Sequence, residues 1–296
     1  MTFTKYIKFA LPAIFLLTLC ACDEIDEQER FQKVEFASGG ESGGGGGGES
    51  GEGGGEGSDF GAKNVLIEDF TGQRCINCPL ATNTISTLQA SFGHDRVIPV
   101  AIHGGDLTLA APTGLANAIG NTYTAERGVS SKPKGEVDRT GQLLDQEKWG
   151  TTVLERISMT AHVKLGVENI AFDADTRELS FNVNAAADLA GAQGLLQVWL
   201  TESHIHKYQA TPDHNRYPQY PASGYDLNYE HNHVLRACVS AKDGDALSLV
   251  AGGSETRTYK YILESDWVAD NMSVVVIAYN AAQGVLQVFE QPVQQP

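Results

Sequence analysis

The apolar and polar positions between residues 63 and 160 alternate between two periods, one typical of strands and one typical of helices. Short apolar runs predict strands, and stretches whose apolar residues recur every three or four positions predict helices. The predicted order is strand Val65–Phe70, helix Cys78–Ser91, strand Arg96–His103, a helix around Leu115–Ala125, a strand pair near Gly135–Leu144 and a helix from about Asp145 to Met159. This order predicts an α/β domain in which helices cover a small mixed sheet.

From Ala161 onward the pattern changes to short alternating runs separated by Gly, Asn and Asp. The runs that predict strands are His162–Val167, Leu179–Asn184, Leu195–Thr201, His233–Ser240, Arg257–Leu263, Ser273–Tyr279 and Val285–Phe289. Their spacing predicts an all-β, immunoglobulin-like sandwich over residues 161–296. We expect one long loop in it, His204–Tyr229, whose tyrosines and prolines suit either recognition of a glycan or peptide or packing of the loop on itself.

The first 21 residues have the pattern of an export signal. Lys5 and Lys8 precede an apolar run, Phe9–Leu19, which is too short to span a bilayer. The run ends in Leu19-Cys20-Ala21-Cys22, which resembles a bacterial lipobox, where a small residue precedes the cysteine that becomes lipid-modified. We therefore predict a lipoprotein signal peptide over residues 1–21 and a lipidated Cys22. The alternative is an ordinary signal peptide that contains cysteines.

The segment after the predicted signal is acidic and rich in glycine. Ser38–Ser58 is almost entirely Gly, Glu and Ser, a composition that cannot bury apolar surface, so we predict a disordered tether over residues 22–62. The whole chain has a formal net charge of −16, and we therefore expect no nucleic-acid partner. Acids directly after Cys22 would be repelled by anionic headgroups, so the expected membrane partner is held by the lipid of Cys22 alone.

Two cysteines two residues apart lie between the first predicted strand and the first predicted helix. This layout places Cys75 at or just before a helix N-terminus, where unpaired backbone N–H groups and the helix dipole favour a thiolate. In an oxidising envelope compartment a Cys75–Cys78 disulfide is as much expected as a dithiol. Cys238 is expected to be a small buried hydrophobe, and His103 an ordinary histidine at a strand end or in solvent.

Several motifs resemble known families. Asp69-Phe70, followed by Cys75-x-x-Cys78 and by Pro133 before a later strand, looks like a thioredoxin-like domain. Together with Phe70-Thr71-Gly72, the Cys-x-Asn-Cys-Pro run, Pro133–Arg139 and Tyr229–Arg236, the chain is similar to the outer membrane protein twenty-eight family. These are envelope lipoproteins of one Gram-negative lineage with a thioredoxin-like domain followed by a β-sandwich. The likeness covers nearly everything from Lys63 onward.

The resemblance implies a site and a location. Cys75 would be an exposed attacking thiolate and Cys78 a buried resolving thiol, whose proton Asp69 would take. Pro133, in a cis bond, would face the two sulfurs. Arg74 stands where thioredoxins usually carry Trp, which alters the apolar platform for protein substrates. The family also implies a lipid-anchored, outward-facing position in the outer membrane, where envelope or extracellular proteins would be the partners.

Four histidines flank the predicted long loop as two pairs, and they are candidates for a zinc or copper site: His204, His206, His231 and His233. In extended chain each pair would lie on one face of its strand. The alternative is that hydrogen bonds satisfy them at the surface and the core edge. The cysteine pair would need two more ligands to hold zinc, and we expect no cofactor.

Two hypotheses for the function follow. In the first, Cys75 and Cys78 carry out thiol–disulfide exchange on envelope proteins, with Asp69 and Pro133 beside them. In the second, the protein is a non-catalytic surface binding or adhesion module in which Cys75–Cys78 is a structural disulfide.

Overall fold

The computed structural model describes residues 60–294. The predicted signal peptide, the predicted lipidation site Cys22 and the predicted tether up to residue 59 lie outside the described residues. Within them the protein is mostly β-sheet with few helices.

Three α-helices follow the predicted pattern: α1 Cys78–Phe92, α2 Ala118–Glu126 and α3 Trp149–Ile157. Two short 3-10 segments, Gln146–Lys148 and Ala269–Asn271, accompany them. The first strands are β1 Val65–Thr71, β2 Val97–His103, β3 Lys134–Val137, β4 Val163–Phe172, β5 Glu178–Ala187, β6 Ala192–Glu202 and β7 Ile205–Ala210. The others are β8 Tyr225–His231, β9 Val234–Cys238, β10 Asp245–Leu249, β11 Ser254–Ile262, β12 Met272–Asn280 and β13 Gly284–Pro292.

One sheet runs through strands from both halves of the described chain, in the order β13-β12-β6-β9-β2-β1-β3, with β10 added beside β6. β1 and β2 are parallel, and β3 is antiparallel to β1. The halves join where β2 pairs in parallel with β9 at Ala101 and Val234, and the amide of Ala101 donates to the carbonyl of His233 at 2.8 Å. The strands before and after residue 160 therefore share one sheet. The domain boundary at that residue stays a prediction.

A second sheet, β11-β5-β4, encloses a core with the first. Buried and partly buried residues alternate along β5 from Glu178 to Ala187, as expected of a strand with one face on a core. Leu179, Phe181 and Val183 of β5 belong to one buried cluster with Val198 of β6 and Val276 of β12. This part of the chain is thus a two-sheet sandwich, in agreement with the predicted all-β region.

Helices cover the other end of the large sheet. Every residue of β1 is buried, because layers lie on both of its faces. Val65 and Ile67 pack with Ile85 of α1 and Val153 of α3, while Phe70 belongs to a cluster on the opposite face. The predicted strand, helix, strand order around the cysteines is confirmed.

The prediction of a long loop at His204–Tyr229 was wrong. Residues Ile205–Ala210 and Tyr225–His231 pair as an antiparallel two-stranded sheet, and we call β7 and β8 the covering hairpin. The prolines fall only in the connecting segment between these strands, and the flanks are rich in the aromatic residues that strands favour. The sequence pattern also did not predict strand β10.

Candidate functional site

Strands β1 and β2 carry polar side chains on the face of the sheet that α1 covers. Asp69 and Thr71 are two residues apart on β1, and their register partners on β2 are Ala101 and His103. All four line one cavity together with Cys78 of α1, as the two-residue period of a strand requires. Earlier positions on the same face, such as Ile67, are apolar and pack on α1. The face therefore turns polar where the strands approach the cysteines.

The cysteine turn connects β1 to α1. Cys75 and Cys78 form a disulfide with Cα atoms 5.4 Å apart, and Cys78 is the first residue of the helix. Pro79 follows in the first helical turn, where its missing N–H costs nothing. Gly72 is required in this turn, since a Cβ there would lie 2.6 Å from the carbonyl oxygen of Leu107.

Cys75 is not exposed, contrary to the expectation that it would be an accessible thiolate. Cys75 and Cys78 each have 2% of their surface exposed. The covering hairpin lies directly against the cysteine turn: the Gln209 amide donates to the carbonyl oxygen of Cys75 at 2.9 Å. The Gln73 amide in turn donates to the carbonyl oxygen of Tyr208 at 3.1 Å, and the Ala210 N–H donates to the carbonyl of Gln73 at 2.7 Å. Sequence reasoning missed this cover because it treated the hairpin as a loop.

Asp69 is buried beneath the disulfide turn, with 2% of its surface exposed. Among the described residues its Oδ1 atom has no hydrogen-bond partner. Burial raises the pKa of Asp69 to about 7, and the nearby Lys132 ammonium opposes part of that rise. A carboxyl group with this pKa can take up and release a proton near neutral pH.

Pro133 follows a cis peptide bond, Lys132–Pro133. Its neighbour Lys134 pairs with Phe70 of β1, so Pro133 lies beside the end of β1 where the cysteine turn begins. The Lys132 ammonium donates to the carbonyl oxygens of Gly104 and Asp106 and to the hydroxyl of Thr108. Burial lowers the pKa of Lys132 to about 8, and the carboxylates of Asp69 and Asp106 act in the opposite direction.

The cavity next to Cys78 has a volume of about 220 Å³ and is closed on one side by the covering hairpin. Tyr229 and His231 of β8 line it opposite Asp69 and His103. His103, expected at a strand end or in solvent, is at the strand end but only 2% exposed. Burial holds the pKa of His103 well below its usual range and lowers the pKa of His231 to about 4. Both rings are therefore uncharged at neutral pH.

The four histidines flanking the hairpin do not come together. His204 contacts Glu230 at 2.9 Å and His206 faces the carbonyl of Asn228 at 3.3 Å, both in exposed positions. His233 lies 3.7 Å from Glu290, whereas His231 turns inward toward His103. Within residues 60–294 no group of three or more His, Cys, Asp or Glu is placed to hold a metal ion.

The tyrosines of the hairpin mostly contact one another, as one of the two interpretations of the loop predicted. Tyr208 stacks on Tyr225, with ring centroids 6.0 Å apart, and Tyr217 meets Tyr220 edge to face at 6.5 Å. The Tyr220 hydroxyl also accepts a hydrogen bond of 2.8 Å from Asn83 of α1. The connecting segment is thus tied to the helix that begins at Cys78.

A larger cavity, of about 460 Å³, lies away from the cysteines. Its two cations, Lys63 and Arg156, both bind the Asp138 carboxylate, at 2.6 and 2.8 Å. Because these charges are already paired, we place the candidate chemistry in the smaller cavity. Cys238 is a free, partly buried thiol packed beside the core cluster that contains Leu235.

A family model described as "Outer membrane protein Omp28" matches residues 120–295, which is more than half of the chain. The chain belongs to the Omp28 family. It is therefore an outer membrane protein, as the motifs implied. Within residues 60–294 no helix is both long and apolar enough to cross a membrane. A search of curated proteins by sequence gives no match.

HBP35 of Porphyromonas gingivalis is similar over 79% of this chain and 76% of its own, with 17% identity and a TM-score of 0.61. This likeness shows a shared fold. A domain of the outer membrane lipoprotein Omp28 from the same organism has 21% identity over 44% of this chain and 86% of its own, with a TM-score of 0.28.

Proposed function

We propose that this Omp28-family protein carries out thiol–disulfide exchange on envelope proteins through Cys75 and Cys78, and that the covering hairpin opens to admit the substrate. The observation that carries the proposal is the buried Asp69 carboxyl, which lines one cavity with Cys78 and has a pKa of about 7. A structural disulfide needs no titratable group beneath it, whereas a resolving thiol needs a base.

In the reduced protein, the Cys75 thiolate attacks one sulfur of a substrate disulfide and the other substrate sulfur leaves as a thiolate. The Cys78 thiol then gives its proton to the Asp69 carboxylate. The resulting thiolate attacks the Cys75 sulfur, forms the protein disulfide and releases the second substrate thiolate. An external dithiol is then oxidised to its disulfide and returns two electrons to the protein. Asp69 gives its proton back to Cys78, Cys75 is left as a thiolate, and the two protons of the dithiol convert the two substrate thiolates to thiols. Lys132, whose ammonium acts on Asp69, helps to set the proton affinity of that base.

The proposed architecture is a thioredoxin-like domain over residues 63–160 and an immunoglobulin-like sandwich over residues 161–296. Support for the first comes from the sheet order β2-β1-β3 with β3 antiparallel, and from the bridge between Gly135 and Leu144 on the outer side of β3. We also propose that residues 1–21 are a lipoprotein signal peptide, that Cys22 carries the lipid, and that residues 22–62 tether the protein facing outward.

The test is insulin reduction in the presence of a dithiol. We expect wild-type protein to accelerate the reaction and Cys75→Ser to lose the acceleration. Cys238→Ser is the matched control, since Cys238 is the free thiol of the described residues and should not matter. Equal rates for wild type and Cys75→Ser would remove the proposal.

A second candidate function is a non-catalytic binding or adhesion module with a structural Cys75–Cys78 disulfide. The observation that favours it is the burial of both cysteines under the hairpin. If mass spectrometry shows a Cys75–Cys78 bond that resists mild dithiols even when the hairpin is loosened, this function is supported and exchange is not.

A further inference from the structure

The larger cavity, of about 460 Å³, carries a positive charge that its own lining does not balance. Lys63 and Arg156 line it, and both bind the single carboxylate of Asp138, at 2.6 and 2.8 Å. Two cations on one carboxylate leave one positive charge in excess. His162, a third basic side chain in the lining, contacts Asp188 at 2.6 Å. Among the described residues, no aspartate or glutamate lines the cavity, although the whole chain has a net charge of −16, so the cavity favours an anion.

The two cations also keep hydrogen-bond donors that no group in the described part of the chain accepts. The Lys63 ammonium, 2% exposed, donates to the carbonyl oxygen of Asn64 and to Asp138, which leaves one of its three N–H groups. Arg156 uses Nε for Asp138 and Nη2 for two backbone carbonyls, which leaves Nη1. A carboxylate, with two oxygens and one negative charge, matches these donors and this excess charge. A phosphate group carries about −1.5 to −2 charge and three acceptor oxygens, which is more than the site supplies.

The rest of the lining is mostly apolar and comes from both sides of residue 160. Its larger apolar members are Met159, Val163, Leu249, Val250, Val285 and Leu286. Val250 is 74% exposed and Met159 43% exposed, so these two lie at the mouth of the cavity. A ligand that covers them removes apolar surface from water, which favours binding. The volume lies within the range of about 300–1,000 Å³ of small-molecule sites, which are apolar with a few polar groups.

We propose that the larger cavity binds a medium-chain fatty acid, with its carboxylate on Lys63 and Arg156 and its alkyl chain against the apolar lining. The carboxylate supplies the negative charge that the cluster around Asp138 lacks, and the chain covers Val250 and Met159. Burial lowers the pKa of Lys63, and a second carboxylate beside its ammonium favours the charged form. The binding does not depend on disulfide exchange, because the cavity does not include the cysteines.

The experiment is isothermal titration calorimetry of the full chain with sodium decanoate, below the concentration at which decanoate forms micelles. We expect one decanoate per chain. Acetate, which has no alkyl chain, should bind at least about 100-fold more weakly, because the burial of methylene groups is lost. Decyltrimethylammonium should also bind at least about 100-fold more weakly, because it brings a like charge to the two cations. For 1-decanol, which has the chain without the charge, we expect about 10-fold weaker binding.

Two changes at one exposed position test the sign of the charge that the cavity prefers. Val250→Glu places an anion at the mouth and should weaken decanoate binding about 10-fold, whereas Val250→Lys should not weaken it. Ile262→Glu is the matched control, because Ile262 is also apolar, is 66% exposed and does not line the cavity. Lys63→Met removes the excess charge and should weaken binding at least about 10-fold. If that variant does not fold, the two Val250 variants decide.

Absence of decanoate binding, equal affinity for decanoate and 1-decanol, or tighter binding of decyl phosphate than of decanoate would overturn the proposal. The same holds if Val250→Glu binds decanoate as wild type does, or if Ile262→Glu loses as much affinity. A protein that binds decanoate in this way but does not reduce insulin would disprove the exchange function and leave the fatty-acid site standing.

Discussion

The side-chain amide of Gln209 donates a 2.9 Å hydrogen bond to the backbone carbonyl oxygen of Cys75. The two residues are 134 positions apart in the chain. The same amide also reaches the carbonyl oxygens of Gly72 and Ala210. Through this side chain the covering hairpin is attached directly to the cysteine turn, so access to the disulfide depends on breaking these bonds.

Gln209→Ala should speed the reduction of the Cys75–Cys78 disulfide by a dithiol. Loss of buried hydrogen bonds worth about 1 kcal/mol each loosens the hairpin, and about 1.4 kcal/mol is a tenfold change in the open population. We expect a rate about 10-fold higher, measured by thiol alkylation and mass spectrometry. His206→Ala, an exposed change on the same strand, should leave the rate as it is; equal rates for both variants would show that the hairpin does not control access.

Asp69→Asn should slow insulin reduction by about 100-fold at pH 7, the usual contribution of a general base. In wild type the rate should rise with pH around the Asp69 pKa of about 7, because only the carboxylate can accept the Cys78 proton. The variant should lose that part of the pH profile. An unchanged profile would assign the titration to another group.

Asp69→Asn should also change how stability depends on pH. The folded protein holds the Asp69 proton up to a pKa of about 7, whereas the unfolded chain releases it near 4. Wild-type stability therefore falls as pH rises between these values, by up to about 4 kcal/mol. Denaturant unfolding measures the free energy of unfolding of the variant minus that of wild type. This difference should be more positive at pH 8 than at pH 4. The opposite trend would contradict the burial argument.

His231→Gln should make the protein less sensitive to acid. The folded-state pKa of His231 is about 4, so between about 6.5 and 4 the unfolded chain binds a proton that the folded protein does not. Stability should therefore fall as pH drops through that window, by up to about 3 kcal/mol from this residue. Thermal unfolding from pH 7 to pH 4 should show a smaller loss of stability in the variant, whereas His206→Gln should behave as wild type does.

Gly72→Ala should destabilise the fold at the cysteine turn. The added Cβ would meet the Leu107 carbonyl at 2.6 Å, and backbone atoms cannot turn aside as a side chain can. Overpacking of this kind costs about 1–3 kcal/mol. Urea unfolding should measure that loss, and a variant as stable as wild type would mean that the turn relaxes freely.

Local patterns were enough to predict the cysteine turn and its surroundings. The apolar run Val65–Phe70 and the helical spacing after Cys78 come from neighbouring residues, and both elements are present within a residue or two. The same holds for the alternating runs of the sandwich, such as Ser273–Tyr279 within β12. In each case the period of the side chains determines the element.

Long-range placement could not be predicted from such patterns. Gln209 gives no local sign that it covers Cys75, and His103 appears as a single histidine until β8 brings His231 to it. The prediction that Cys75 is exposed was wrong because the strands that lie against its turn are far along the chain. The single sheet shared by the two halves could not be predicted either, since the pairing of Ala101 with Val234 joins two segments whose apolar patterns differ.

The most direct test of the exchange mechanism is a trapping experiment in the native envelope. In Cys78→Ser the Cys75 thiol can still attack a protein disulfide but cannot be released, so mixed disulfides should accumulate on Cys75 and disappear with a dithiol. The comparison is the Cys75→Ser, Cys78→Ser double variant, which retains Cys238 as the thiol of the described residues. Adducts that require Cys75 are the predicted result; equal adducts in both variants, or none in either, would contradict the account.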